Sequence, residues 1–129
     1  MDREIAREHL ARQSLRWDAG YCIVMGAVAA VLFAPLASAL DAPKFLVALG
    51  GLATVAWGAF VARLAGASSW RNVTVLVVAA NVAAAGALAA VGLIAEVEPA
   101  VRVVLLGVAV QVAGFAAIQA HALWSPFVR

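Results

Sequence analysis

The sequence predicts an all-α fold, a four-helix transmembrane bundle, from its composition and from four long uncharged runs. Of its 129 residues, 66% are hydrophobic and only 12% are charged, and the mean hydropathy is +1.01. Soluble domains are about half apolar and about a quarter charged. This difference excludes an ordinary water-soluble globule, a disordered tail and a disulfide-stapled secreted domain. It leaves a polytopic membrane protein with a single transmembrane domain over residues 1–129.

The four uncharged runs cover residues 19–40, 45–62, 72–95 and 103–128. A helix needs about 20 apolar residues to cross about 30 Å of hydrocarbon, so each run is long enough. With their boundary residues, the spans are predicted at about 17–40, 44–63, 71–95 and 101–125. The runs are continuous in Ala, Val, Leu and Gly, whereas β-barrel strands alternate in hydrophobicity. Four helices are therefore expected.

A charged segment, residues 1–16, precedes the first span and is predicted to be helical. Glu8 and Arg12 are four residues apart with the acid first, which is the favourable order for a helical ion pair. We interpret the segment as a solvated extension of the first span that sets topology. The alternative is a surface helix held by anionic lipid or a partner. The segment has no short apolar core with a cleavage site, so the first run is expected to be a retained span.

The breaks between the runs carry turn chemistry. Pro35 is expected to kink or end the first helix near its outer end. Side-chain caps and prolines at helix starts predict the remaining boundaries: Asp41 as cap of the second helix with Pro43 in its first turn, Ser68 and Ser69 for the third, Glu98-Pro99 opening the fourth and Ser125-Pro126 ending it.

The basic residues predict that both termini are cytoplasmic. Seven of them flank one side of the spans and two flank the other: Arg3, Arg7, Arg12, Arg16, Arg63, Arg71 and Arg129 against Lys44 and Arg102. Cytoplasmic loops of membrane proteins carry the excess of Lys and Arg. Trp17, Trp70 and Trp124 fall at the same span ends, where indole groups reach headgroup water. The predicted location is the plasma (inner) membrane of a bacterium.

Three polar residues are predicted to share one level near the middle of the membrane. Asn81 lies nine positions into the third uncharged run, about 13 Å deep at about 1.5 Å per residue. Gln111 and Thr54 lie about as deep in the fourth and second runs. We expect Asn81 and Gln111 to hydrogen-bond each other across neighbouring helices. The alternative is that this midplane polar cluster lines a substrate or proton path.

A second polar cluster is predicted nearer the cytoplasmic side: Arg16, Asp18, Tyr21, Gln119 and His121. Asp18 is expected to be a boundary carboxylate paired with Arg16 or Arg71, and alternatively a proton carrier. His121 is expected to bond headgroups or Asp18, and alternatively to act as a pH switch, because histidine titrates near neutral pH. Cys22 is expected to be a small buried apolar residue. Small residues at spacings of four and seven, as in Gly51 with Gly58, predict close helix packing.

Short motifs at four places resemble small four-span bacterial integral membrane proteins of unassigned function. They are Leu15-Arg16-Trp17-Asp18-Ala19, Ala80-Asn81, Val110-Gln111 and Ile118-Gln119. The resemblance implies a four-helix fold and no activity. Small multidrug exporters and fluoride channels are similar only in size: the sequence has no glutamate between Glu8 and Glu96, and it lacks a Thr-Phe-Ser-Thr-like stretch.

No motif points to catalysis, a metal or a cofactor, so the protein is expected not to be an enzyme. The membrane spans contain no carboxylate pair, and the sequence lacks HExxH, GxSxG and a glycine-rich phosphate loop. Its one cysteine excludes an intrachain disulfide. The basic residues flank apolar runs, which fits a membrane and not nucleic acid. Two functions remain: a structural or accessory subunit that binds lipid, a membrane protein or further copies of itself, and a small transporter or channel-like protein with a midplane polar path.

Overall fold

The computed structural model describes residues 2–124 and is entirely helical over that range, with no strands. Its five helices are α1 (Asp2–Val31), α2 (Phe33–Ala39), α3 (Lys44–Leu64), α4 (Trp70–Ile94) and α5 (Pro99–Trp124). Three of them, α3, α4 and α5, are each long and apolar enough to cross a membrane. Joined as one bent element, α1 and α2 would make a fourth span. Residues 2–124 therefore contain three to four candidate membrane spans.

The first run, with a predicted span of about 17–40, forms two helices, α1 and α2, that are bent relative to each other near the expected outer end. Its two helices meet at an angle of 83°. Proline lacks an amide hydrogen and its ring clashes with the carbonyl four residues earlier. Pro35 thus cannot bond the carbonyl of Val31, and α1 ends at that residue. The predicted effect of Pro35 is confirmed.

The helices form two antiparallel hairpins. The first hairpin packs α1 along α3, with α2 over the end of α3, and the second packs α4 along α5. Gly26 and Gly51 fix the first contact: a Cβ on Gly51 would lie 2.6 Å from the amide nitrogen of Ala30 and 2.8 Å from the carbonyl oxygen of Gly26. Only glycine permits this approach of the two backbones. The predicted close packing of small residues is confirmed at this contact.

The two hairpins meet at the end of the molecule that carries the α3–α4 connection, residues 65–69, which we call the junction end. There α1 buries Ala11, Ser14, Leu15, Asp18 and Ala19, which follow helical spacing along one face. On α4 the buried face runs from Trp70 to Asn81, and the one later buried residue, Gly92, lies against Leu106 of its own hairpin. The shared core therefore occupies the junction end.

The segment before the first span is helical, as predicted; residues 2–6, 9 and 10 are exposed, whereas the part from Ala11 onward is packed against other helices. Ala11 and Leu15 are fully buried, against Trp70 and Ala122 in one cluster and against Val61 and Val73 in another. The predicted Glu8–Arg12 pair is confirmed, with Arg12 Nε donating to Glu8 Oε1 at 2.8 Å. The buried apolar face of this segment is formed by Ala11, Leu15 and Ala19. The larger apolar residues are more exposed and do not form it: Ile5, Leu10 and Trp17.

Arg12 also joins this segment to the end of α3. Its Nη1 donates to the carbonyl oxygen of Ala65 at 2.6 Å, and its Nη2 donates to that of Ala67 at 2.9 Å. The last carbonyls of a helix have no partner within the helix, and a cation there also complements the helix dipole. A residue near the start of the chain thus caps the carbonyl end of α3.

Two predicted side-chain caps are wrong. Pro43 itself is the N-cap residue of α3, so Asp41 does not cap that helix; it has φ of 48°, in the left-handed turn region. Ser69 occupies the N-cap position of α4, as expected, but makes no capping hydrogen bond with its side chain. Pro99 opens α5, as predicted, at a position where its missing amide costs nothing. Ser125-Pro126 lies outside the described residues.

The outer surface is strongly apolar. In the most apolar window of α3, α4 and α5, only 17%, 28% and 17% of the residues are buried inside the protein. Val24, Leu49, Val82 and Val110 are all at least 59% exposed. Exposing such an apolar surface to water is unfavourable in free energy, whereas the hydrocarbon chains of lipid are themselves apolar and can cover it. The surface supports membrane insertion of the candidate spans.

Candidate functional site

The most notable polar feature is a buried cluster of three residues from three helices, Asp18 of α1, Asn81 of α4 and Gln119 of α5, which we call the polar cluster. Their exposed fractions are 1%, 4% and 0%. Each belongs to the buried face of its helix, in register with Leu15, Val77 and Ala122 respectively. Helical spacing therefore directs all three side chains into the shared core at the junction end.

Every member of the polar cluster hydrogen-bonds both others. Asn81 Nδ2 donates to Asp18 Oδ2 at 2.6 Å and to Gln119 Oε1 at 3.2 Å. Gln119 Nε2 donates to the same Asp18 Oδ2 at 2.8 Å. Because Asp18 belongs to the first hairpin and the two amides to the second, these bonds join the two hairpins.

The Asp18 carboxylate is stabilised by neutral donors. Two amides donate to Oδ2, and the thiol of Cys22 lies 3.7 Å from Oδ1, at the distance of a weak S–H hydrogen bond. No basic side chain among residues 2–124 lies within ion-pair distance of it. Throughout this range, no buried side-chain nitrogen or oxygen lacks a hydrogen-bond partner. The cluster is thus a closed network, which is the condition for a stable polar group in a dry interior.

The expected ion pairs of Asp18 are not formed. Arg71 instead pairs with Glu4, with 2.9 Å between Nη2 and Oε1, and its guanidinium lies 4.8 Å from the ring centre of Trp70. Arg16 is exposed on the surface, and His121 is exposed on α5 and does not bond Asp18. Asp18 projects from the buried face of α1, whereas Arg16 projects from another face. The predicted second polar cluster is therefore divided between core and surface.

The predicted bond between Asn81 and Gln111 is also wrong. Gln111 is exposed and its Oε1 accepts a hydrogen bond from the Tyr21 hydroxyl, while Asn81 bonds Asp18 and Gln119. Thr54 is bonded to its own helix, with Oγ1 donating to the Gly50 carbonyl at 2.8 Å. Eight residues separate Gln111 from Gln119, so they lie about 12 Å apart along α5. Equal depth in the uncharged runs did not imply contact.

Tyr21 and Gln111 border an open groove between α1 and α5. Its volume is about 260 Å³, and its lining is Tyr21, Gln111, Gly114, Phe115 and Ile118. The rings of Tyr21 and Phe115 lie 5.6 Å apart, centre to centre. The groove is separate from the buried polar cluster, since none of its lining residues belongs to it.

Sequence reasoning missed two contributions. Cys22 follows Asp18 by four residues and so lies one turn further along the same helix face, which places its thiol by the carboxylate. Arg12 was assigned to a solvated segment, although the buried stripe on either side of it was visible as small and apolar residues at positions 11, 15 and 19. Recognising that stripe would have predicted a packed helix.

Neither the described metal-ligating residues nor known proteins indicate an activity. Residues 2–124 contain no group of three His, Cys, Asp or Glu side chains arranged to hold a metal ion. No protein-family model, curated protein or solved structure shows significant similarity to the chain. A function can therefore be inferred only from the arrangement of the chain's own residues.

Proposed function

We propose that the protein is a non-enzymatic structural or accessory subunit of the bacterial inner membrane, with both termini in the cytoplasm. Its partners are membrane lipid and, through its exposed helix faces, another membrane protein or a further copy of itself. One observation carries the proposal: the polar cluster is buried, and each of its three side chains hydrogen-bonds the other two. A polar path requires side chains that face water or substrate, and here those groups face each other.

The proposal is tested by ion flux into vesicles. Purified protein is reconstituted into liposomes that contain a pH-sensitive dye, and a potassium gradient with valinomycin supplies the driving force for protons. The wild type and Asp18→Asn are expected to match protein-free vesicles. Proton entry that depends on wild-type protein and disappears in Asp18→Asn would overturn the proposal.

The partner is tested with photoreactive residues. One exposed apolar position per long helix is replaced in turn, at Val24, Leu49, Val82 and Val110, and the buried Val77 provides a matched control. We expect a discrete protein adduct in native membranes from at least one exposed position and none from position 77. An adduct at twice the chain mass would identify a homo-oligomer. Lipid adducts alone at all four exposed positions would contradict a protein partner.

The second candidate is a small transporter or channel-like protein, and the nearby groove favours it. The groove lies between α1 and α5, beside the Tyr21–Gln111 bond, and Tyr21 is only three residues from the Asp18 carboxylate. A carboxylate within a membrane segment is costly and is often a proton relay. In this function, Asp18 would be the proton carrier. The flux experiment separates this function from the first.

The topology rests on the excess of basic residues at the junction end. Reporter fusions or cysteine labelling at Arg129 and Glu96 are expected to place position 129 in the cytoplasm and position 96 outside. Opposite labelling, or equal labelling of the two positions, would contradict the proposed orientation. This test does not depend on either function.

A further inference from the structure

We propose that the protein forms a two-fold symmetric dimer through α5, in which the Gln111 side chains of two copies hydrogen-bond each other. The inference rests on the proposed function, because it takes one of the partners named there, a further copy of the chain, and assigns its binding surface. That surface is the exposed face of α5 beside the groove that Tyr21 and Gln111 border.

Gln111 leaves a hydrogen-bond donor unused in the middle of a candidate span. Twelve residues of α5 precede it and thirteen follow it, and its side chain is exposed. Its Oε1 accepts from the Tyr21 hydroxyl, but its Nε2 donates to no residue among 2–124. The donor nitrogens of Asn81 and Gln119, in contrast, are bonded within the polar cluster. Lipid chains offer no acceptor, so an acceptor on another membrane helix would stabilise this amide.

A second copy of the chain supplies that acceptor at the required depth. In a two-fold dimer of copies with the same topology, the axis is perpendicular to the membrane, so the two α5 helices run parallel and Gln111 lies opposite its counterpart. A carboxamide oxygen accepts two hydrogen bonds. Each Oε1 can therefore accept from Tyr21 of its own chain and from Nε2 of the other chain. The two side chains satisfy each other.

The exposed residues around Gln111 follow the spacing of a helix-pairing face, which we call the α5 seam. Its members are separated alternately by three and four residues, and all are exposed: Val104, Gly107, Gln111, Gly114 and Ile118. This spacing keeps one helix face against a parallel partner along its length. Buried residues of α5 such as Ala109 and Ala116 lie on the other side of the helix. The seam is thus continuous and faces away from the protein's own core.

Two glycines permit close approach at the seam. A Cβ on Gly107 or Gly114 would meet nothing within 4 Å, whereas a Cβ on Gly51 or Gly58 of α3 would collide with α1. The glycines of α3 are therefore used inside the hairpin, and those of α5 remain open. Small residues let two helix backbones come close in a membrane. They lie about one turn on either side of Gln111, where they bring the two carboxamides within reach.

Energy transfer in liposomes measures the dimer. Full-length chains labelled at the N-terminus with a donor or an acceptor dye are mixed and reconstituted over a range of protein-to-lipid ratios. The wild type is expected to show transfer that rises with this ratio and saturates as a dimer. Gln111→Leu removes two hydrogen bonds. At the average strength of bonds between membrane helices, it is expected to raise the dissociation constant of the dimer about sevenfold.

A pair of glycine variants supplies the matched control. Gly114→Ile fills the seam and is expected to raise the dissociation constant by about tenfold or more. Gly86→Ile places the same side chain at an exposed glycine of α4, where a Cβ would also meet nothing, and is expected to stay within about twofold of the wild type. Diluted to the monomer in detergent, both variants are expected to unfold at the same temperature, which separates lost pairing from lost folding.

Disulfide formation checks which face of α5 pairs. Single cysteines are introduced at Val104, Ile118 and the control position Ala113, with Cys22→Ala so that only the introduced thiol reacts. Ala113 is also exposed, but two residues along a helix it projects from the side opposite to Gln111. Oxidation in liposomes is expected to link two chains at positions 104 and 118 and not at 113.

Several results would overturn the dimer. They are a monomeric wild type at every protein-to-lipid ratio, equal effects of Gly114→Ile and Gly86→Ile, and a disulfide at position 113 as strong as that at 104. A monomeric wild type would leave lipid or another membrane protein as the partner in the proposed function. Proton entry in the flux experiment would instead overturn the proposed function and leave the dimer in place, so the two failures are distinguishable.

Discussion

The molecule associates its helices in two different ways, and the contrast is between the glycine contact inside the first hairpin and the polar cluster between the hairpins. Gly26 and Gly51 bring two backbones together with no polar side chain. The polar cluster joins three helices by hydrogen bonds in an interior that excludes solvent. Lipid is as apolar as leucine, so burial of hydrophobic side chains does not drive helices together in a membrane.

The difference shows what each contact specifies. Close backbone packing depends on shape, so it fixes the distance and register of α1 and α3. Hydrogen bonds in a dry core depend on partner identity, so the polar cluster fixes which hairpin faces meet. Arg12 adds a third kind of contact, in which a charged side chain that is 22% exposed bonds carbonyl oxygens at the end of α3.

The largest expected effect comes from filling the glycine contact. Gly51→Ile would place side-chain atoms inside the backbone of α1 and is expected to lower the free energy of unfolding by about 3 kcal/mol. The matched control is Gly50→Ile, because a Cβ on Gly50 would meet nothing within 4 Å. Thermal unfolding in detergent measures both. Equal losses in the two variants would contradict the register of the first hairpin.

A smaller effect is expected for Arg12→Met, which retains most of the side-chain length and removes the guanidinium. The carbonyls of Ala65 and Ala67 lose a charged donor, and stability is expected to fall by about 1.5 kcal/mol. Arg16→Met, one turn further along α1, removes the same charge without an internal contact and is expected to change stability by less than about 0.5 kcal/mol. If both arginines were equivalent in thermal unfolding, Arg12 would not hold the end of α3.

The smallest effect is expected for Tyr21→Phe. The change removes the hydroxyl that donates to Gln111 and keeps the ring that contacts Phe115. Measured side-chain hydrogen bonds between membrane helices average about 0.6 kcal/mol, and a loss of that size is expected. Thermal unfolding of Tyr21→Phe alone and combined with Gln111→Leu checks it; the second change should add nothing from this bond. A loss as large as that of Arg12→Met would contradict a peripheral role.

The apolar pattern predicted the helices well because helix formation in membrane segments follows from composition and length. The breaks before α3, α4 and α5 were found from Pro43, Ser69 and Pro99, although the side-chain caps were not formed. The angle of 83° between α1 and α2 could not be predicted. A proline indicates where a helix ends but not the direction in which the following helix runs.

The sequence predicted that the three residues of the polar cluster are important, but it did not predict the contacts among them. Asp18, Asn81 and Gln119 were each recognised as costly polar residues, but depth was counted from the ends of the uncharged runs. Asp18 lies outside its run and yet near the middle of the helix Asp2–Val31, so that count assigned it to the boundary. Contacts between helices depend on which faces meet, and a depth estimate carries no information about rotation around the helix axis.

The most direct test of the polar cluster as a tie between the hairpins is a pair of double-mutant cycles, read by thermal unfolding in detergent. One combines Asp18→Leu with Asn81→Leu, and the other combines Asn81→Leu with Gln111→Leu. The first pair is bonded and is expected to show coupling of about 0.6 to 1.7 kcal/mol. The second pair makes no contact and is expected to be additive. Additivity in the first cycle, or coupling only in the second, would contradict the proposed tie.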